Sequence, residues 1–200
     1  MTVATPEAPP AALPPRKPRK IFLVVGLVVA VALGIGLFTS IGTNKNAGPP
    51  VAGDPVPSFT ASLVNGSGTV RVSAHGTSGH PTVLLFFGDW CSICHTELPQ
   101  LAATVRSQDA AGGSLSRIRV VGVDSGDLLS NARSFVASSG VTFPVADDEN
   151  LAIISAKFFF RGDPYAVFVN GNGTIAKILG SSISPSAFRT DERALIPSGS

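Results

Sequence analysis

Sulfur is scarce in this chain of 200 residues, which has two cysteines and one methionine. The methionine is Met1, so the body of the chain offers no axial methionine to an iron centre. The cysteines, Cys91 and Cys94, are only two residues apart, and a cross-link over so short a loop constrains almost none of the unfolded chain. They therefore read as a redox couple, able to exist as dithiol or disulfide, rather than as a staple. Zinc is disfavoured, because Cys91, Cys94 and His95 crowd one another and no obvious fourth ligand follows. Charge is scarce too, at 14% of residues, and it is unevenly spread. Residues 1–41 hold four Lys/Arg and one acidic residue, which leaves eleven basic and twelve acidic residues beyond. The larger part is nearly neutral and has no field for a polyanion, which excludes nucleic acid as a partner. No internal repeat is present.

One long apolar run is present. Ile21–Ile41 is twenty-one residues without a charge, preceded by the basic cluster Arg16-Lys17-Pro18-Arg19-Lys20. At about 1.5 Å per helical residue it reaches roughly 30 Å, the thickness of a bilayer's hydrocarbon core. The basic flank predicts a cytoplasmic N-terminus and an exported C-terminal part. A cleaved signal peptide is the alternative, but its apolar stretch is usually about 7–15 residues and ends in a small-x-small site. No cysteine stands directly after the run, which excludes a lipoprotein anchor. The predicted organisation is a disordered cytoplasmic tail (1–20), a single-pass transmembrane anchor (21–41), a Gly/Pro-rich linker (42–57) and one domain (58–197). That domain lies on the oxidising side of the membrane, where a cysteine pair can persist oxidised.

Within it, Ser58–Val64 and Thr69–Val72 read as strands around the turn Asn65-Gly66-Ser67-Gly68, a β-hairpin. Thr82–Phe87 and Ile118–Val123 are continuous apolar runs of strand length, the pattern of strands buried on both faces. Ser92–Ser107 is helical by composition. Leu128–Ser139 suits a helix with Asp127 as its N-cap and Gly140 as its stop. Thr142–Val145 is a short strand, and Glu149–Phe159 suits another helix. Tyr165–Val169 and Thr174–Leu179 flank Asn170-Gly171-Asn172-Gly173 as a second hairpin, and Ser184 caps a last helix to about Leu195. Strand–helix–strand crossovers give parallel pairing with helices on both faces, and the second hairpin adds antiparallel strands. The fold class is α/β, with a mixed central sheet flanked by helices.

The chemistry lies in Trp90-Cys91-Ser92-Ile93-Cys94-His95, after one strand and at the mouth of a helix. Cys91 falls at the helix N-terminus, where unpaired N–H groups and the dipole favour a thiolate. Cys94, one turn inward, is the more shielded thiol, suited to resolving a mixed disulfide. The same letters spell C-x-x-C-H, the attachment pattern of c-type haem, so a haem- or copper-binding protein using Cys91, Cys94 and His95 is the reading from another class. For haem, His75 and His80 are the remaining histidines, both in a glycine-rich stretch suited to a solvated loop.

From about Gly53 to Leu195 the chain resembles the thioredoxin superfamily, and within it the membrane-anchored TlpA/ResA-like (DsbE-type) thiol-disulfide oxidoreductases. The resemblance rests on WCSICHTELPQL, on Gly53-Asp54-Pro55-Val56-Pro57-Ser58-Phe59, on Phe143-Pro144-Val145 with Asp147-Asp148, and on Gly162-Asp163-Pro164-Tyr165-Ala166-Val167-Phe168-Val169-Asn170. It implies a thioredoxin-like fold and an enzyme exchanging electrons with client proteins that carry disulfides or dithiols, recharged by a membrane electron-donor protein and needing no cofactor. By resemblance, Cys91 and Cys94 are the nucleophilic and resolving thiols, Pro99 the proline within the active-site helix, and Pro164 a cis-proline facing the disulfide. Glu97 matches an acidic residue of ResA-like members, read either as a proton-exchanging neighbour of the thiols or as a solvated glutamate. Trp90 either covers Cys91 or sits in the core. The direction implied is reduction, including of apocytochrome c; introduction of disulfides into exported proteins is the alternative. Thioredoxins themselves carry a buried aspartate six residues before the first cysteine, and here that residue is Leu85. Peroxiredoxins share the fold, but their Pro and Thr would fall at Leu84 and Gly88.

Overall fold

The computed structural model describes residues 48–73 and 79–196. The predicted tail, the anchor and residues 42–47 of the linker lie outside the described residues, as does His75. Among the described residues no helix is long and apolar enough to cross a membrane.

A hairpin comes first, β1 (Phe59–Ser62) antiparallel to β2 (Thr69–Val72), forming a small sheet of its own. The main sheet has five strands, β3 (Thr82–Phe87), β4 (Arg119–Ser125), β5 (Val145–Asp148), β6 (Tyr165–Val169) and β7 (Ile175–Gly180), in the order β5-β4-β3-β6-β7. β3, β4 and β5 pair in parallel, while β6 and β7 join antiparallel. Helices α1 (Ser92–Ala111) and α2 (Leu129–Ser138) make the two crossovers, and α3 (Pro185–Ala194) closes the fold, its N-terminus capped by Ser184. The mixed sheet and both hairpins follow the expectation.

Every residue of β3 is buried because the strand is central and covered on both faces. Its side chains alternate between two cores. Val83, Leu85 and Phe87 join the cluster holding Cys94, Leu98, Leu101 and Phe135 from α1 and α2. Leu84 and Phe86 join the opposite cluster with Phe59, Val70, Val72, Phe158 and Phe160. The first hairpin thus covers one face and helices α1, α2 and α3 the other, not both faces as expected. The two crossovers run in the same direction along β3-β4-β5 and so lie on one side. Each buried Phe or Leu contributes about 1.5–3 kcal/mol by transfer from water.

Several boundaries differ from the sequence reading. α1 runs four residues past Ser107, to Ala111, and is capped by Gly112, whose φ of 67° lets its N–H return to Gln108 and Asp109. β4 continues through Asp124 and Ser125, and the strand predicted at Thr142–Val145 lies later, at Val145–Asp148. The N-cap of α2 is Leu128, not Asp127, whose carboxylate is engaged elsewhere. The predicted helix Glu149–Phe159 is a run of turns. The Asp148 carboxylate accepts the N–H groups of Ile153 and Ile154, both at 2.8 Å, and Leu151 and Phe159 have φ of 56° and 59°. Bonds from Phe158 N–H to Ile153 O and from Phe160 N–H to Ile154 O replace the helical ladder.

Candidate active site

The reactive edge is the C-terminal edge of the three parallel strands. β3 ends at Phe87, and the turn Gly88-Asp89-Trp90 leads into α1. Cys91 is the N-cap of α1 and is joined by a disulfide to Cys94, with Cα atoms 5.2 Å apart. Cys94 N–H lies 3.2 Å from Cys91 Sγ and points its donor at that sulfur. On reduction the same donor and the helix dipole favour negative charge on Cys91, and the first turn of α1 has no acidic residue to oppose it. Cys91 is 5% exposed and Cys94 1%.

Trp90 is not a core residue. It is 55% exposed, and its indole N–H donates to Ser125 O at 2.7 Å. Gly88 makes this possible, because a Cβ there would stand 2.5 Å from Trp90 Nε1. Ile93, 44% exposed, is a second apolar group beside the disulfide. His95 Nε2 lies 2.6 Å from Asp89 O, and its ring packs on Phe135.

Pro164 follows a cis peptide bond from Asp163. With Cys94, Glu97, Leu85 and Ile183 it lines a small cavity of about 10 Å³, the space of roughly one water. Glu97, half-buried, accepts hydrogen bonds from Ser182 Oγ and from Ile183 N–H at 2.7 Å, so it is tied to the turn before α3. Pro99 lies inside α1, where its missing N–H leaves the His95 carbonyl without a helical donor. Cys91, Cys94, Glu97 and Pro164 thus meet at one place, with Trp90 at its rim.

Sequence reasoning missed the carboxylates beneath the turn. Asp127 Oδ2 accepts Asp89 N–H at 2.5 Å. Asp124, 1% exposed, is pushed up to about 8 by burial, by the charge of Asp127 and by a hydrogen bond shared with it. Burial and the charges of Asp127 and Asp148 push Asp163 up to about 7. The pattern GVDSGD carries no signal for them, because a strand end followed by Ser, Gly and Asp reads as an ordinary turn.

A five-stranded mixed sheet with a Cys-x-x-Cys disulfide at a helix N-terminus, facing a cis-proline, defines the thioredoxin-like class of proteins. Residues 52–178 match the AhpC/TSA family, and the chain belongs to that family. It is 25% identical over 173 residues to the thiol-disulfide oxidoreductase ResA of Bacillus subtilis, covering 86% of this chain and 90% of the relative. To the thiol:disulfide interchange protein DsbE of Escherichia coli K12 it is 24% identical over 179 residues, covering 86% and 92%. A secreted Mycobacterium tuberculosis disulfide oxidoreductase, described as homologous to E. coli DsbE, superposes with a TM-score of 0.56 at 24% identity. That match covers 68% of this chain and 96% of the other, and shows the shared fold.

Proposed function

We propose that this protein is a thiol-disulfide oxidoreductase of the ResA/DsbE type that exchanges electrons with client proteins through Cys91 and Cys94. The observation carrying this reading is the Cys91–Cys94 disulfide at the N-terminus of α1, with Cys91 as the helix N-cap and Cys94 one turn inward. In the reducing direction, the Cys91 thiolate attacks a client disulfide. One client sulfur leaves as thiolate and takes a proton, and a Cys91–client disulfide forms. Cys94, deprotonated, then attacks Cys91 Sγ, which releases the second client thiol and closes the Cys91–Cys94 disulfide. Two electrons and two protons pass to the client, and a membrane electron-donor protein returns the pair to the dithiol. Reversal of the same steps introduces a disulfide into an exported protein.

Within this reading Cys91 is the nucleophile and Cys94 the resolving thiol. Pro164 borders the client's backbone, Pro99 shapes α1, and Trp90 covers the approach to Cys91. Glu97 is the carboxylate through which Cys94 exchanges its proton. Residues 21–41 anchor the protein and residues 58–197 act outside the cytoplasmic membrane, with reduction of client disulfides, apocytochrome c included, as the working direction. The rival haem or copper reading needs both sulfurs free for the ligand, and here each is bonded to the other.

Trapping tests the reading. A Cys94→Ala variant is expected to accumulate a client joined to Cys91, and Cys91→Ala to accumulate none; no mixed disulfide from either would refute exchange. Equilibration with glutathione fixes the direction, since a strongly oxidising potential overturns the reductase version. Peroxide consumption by the reduced protein, with no exchange, would favour a thiol peroxidase instead.

A further inference from the structure

Two carboxylates beneath the disulfide have no part in the exchange steps. We propose that Asp124 and Asp127 form a carboxyl pair sharing one proton, and that this pair positions the Asp89–Trp90–Cys91 turn and couples the Cys91–Cys94 equilibrium to pH. The inference rests on the exchange reading above and extends it to a control built into β4.

Asp124 stands on β4 two residues beyond Gly122 and four beyond Val120, so it shares the face that packs against the disulfide cluster. It pairs in register with Phe87 of β3 on one side and Asp147 of β5 on the other. Its Oδ2 is buried and finds no donor among the described residues. Asp127, 7% exposed, uses Oδ2 to accept Asp89 N–H, while Ser125 O accepts the Trp90 indole. The segment 125–127 therefore grips the turn before Cys91 at two points.

Neighbouring buried carboxyls cannot both ionise cheaply, so one retains its proton and donates it to the other. The groups acting on Asp124 are Asp127 from the loop before α2, Asp147 from β5 and Asp163 from the segment before β6, all acidic. On the β3–α1 side the titratable groups of the reactive turn, Asp89 and His95, are bonded to each other. With no cation among the groups that act on it, Asp124 keeps its proton through neutrality and ionises near 8. Below that point Asp124 is neutral, and above it Asp124 adds a negative charge beneath the turn. That charge opposes the thiolate of reduced Cys91, so rising pH shifts the couple toward the disulfide. By reciprocity, reduction makes Asp124 hold its proton more firmly.

Asp124→Asn and Asp124→Val separate the two parts of the proposal. Asparagine keeps an N–H donor for Asp127 and cannot titrate; valine removes both. In the oxidised full-length protein, the infrared difference between wild type and Asp124→Asn should contain a carboxylic-acid C=O band at neutral pH that vanishes as pH passes about 8. Equilibration with glutathione gives the second readout, in which two glutathione thiols pass two electrons and two protons to Cys91–Cys94 and become glutathione disulfide. At about pH 6, wild type and Asp124→Asn should agree within about two-fold, and at about pH 9.5 wild type should lie about three-fold or more further toward the disulfide. Asp124→Val should alter the near-ultraviolet dichroism of Trp90, and Asp124→Asn should preserve it. A wild-type-to-Asn ratio that is the same at both pH values overturns the coupling, and absence of the band overturns the pair. A wild type that never equilibrates with glutathione refutes the exchange reading and the coupling with it, while the infrared titration still decides whether the pair exists.

Discussion

The disulfide edge of the sheet and the seam between α1 and α3 both bury carboxylates, and they manage the charge differently. At the seam Glu192 is 1% exposed, and Gln108 Nε2 donates to its Oε2 at 2.7 Å. Burial pushes Glu192 up to about 7, while the Gln108 bond and the charge of Arg189 pull it back. At the disulfide edge Asp124 meets another carboxylate, and nothing cationic relieves it. Asp148, one residue past Asp147 on the adjacent strand, solves the same problem with backbone, accepting Ile153 and Ile154 N–H. Burial raises its pKa and those bonds lower it. A buried acid with neutral donors affects stability alone. An acid whose partner is another acid linked to the reactive turn ties its proton to the chemistry.

The largest effect that sharpens this contrast is expected at Asp148. Asp148→Ala strips two buried N–H groups of their acceptor, at about 1–3 kcal/mol for each group left unsatisfied. Relaxation of the 149–159 turns toward water recovers part of this, so a net loss of about 2–4 kcal/mol in urea unfolding is expected. The glutathione equilibrium should change less than about two-fold. A large change in that equilibrium with little loss of stability would erase the distinction between Asp148 and Asp124.

That same segment shows where sequence legibility ended. The apolar spacing of Ile153, Ile154 and Phe158 suits a helical face, in keeping with the helix expected at Glu149–Phe159. The Asp148 side chain competes for the first free N–H groups and, with Leu151 and Phe159 at positive φ, turns the chain aside. The strand–helix–strand order and the place of Cys91 were readable because buried-strand runs and helix starts are local signals. Asp124 was not, since aspartate is rarely enclosed and strand patterning says nothing of what a side chain meets across the sheet. Asp127 looked like a cap by position, but its partner, Asp89, lies 38 residues away. Glu97 was found by resemblance, whereas its anchors at Ser182 and Ile183, 85 and 86 residues on, depend on packing.

A smaller effect is expected at the seam. Glu192 has a raised pKa in the folded state, so its contribution to stability is full below the unfolded value of 4.5 and is lost as pH rises toward about 7. Glu192→Gln preserves an oxygen acceptor for Gln108 and removes the titration. The variant should match wild type near pH 4 and exceed it above pH 7 by about 1–2 kcal/mol, or roughly 2–4 °C of melting temperature per kcal/mol. The wild-type slope should shrink rather than vanish, because Asp124 and Asp163 are raised as well. Its redox equilibrium should be unaffected, which is the contrast with Asp124→Asn. Equal melting curves at both pH values would mean that Glu192 is ionised in the fold without cost.

The smallest effect is expected at Ser182, and it bears on Glu97, a further carboxylate of the disulfide edge. Ser182 is exposed and its hydroxyl donates to Glu97 Oε1, while Ile183 N–H holds the other oxygen at 2.7 Å. Removing an exposed neutral donor costs about 0.5–1 kcal/mol, because water replaces it and the backbone bond persists. Ser182→Ala should therefore melt within a few degrees of wild type. Glu97 lines the same small cavity as Cys94, so loosening it should change the alkylation rate of Cys94 in the reduced protein by only about two- to three-fold. A change above about ten-fold would mean that the Ser182 bond fixes the carboxylate for proton exchange, which puts Glu97 beside Asp124 as an acid tied to chemistry. No change in Ser182→Ala, together with an unchanged pH profile of Cys94 alkylation in Glu97→Gln, would place Glu97 with Glu192, as an acid that serves the fold alone.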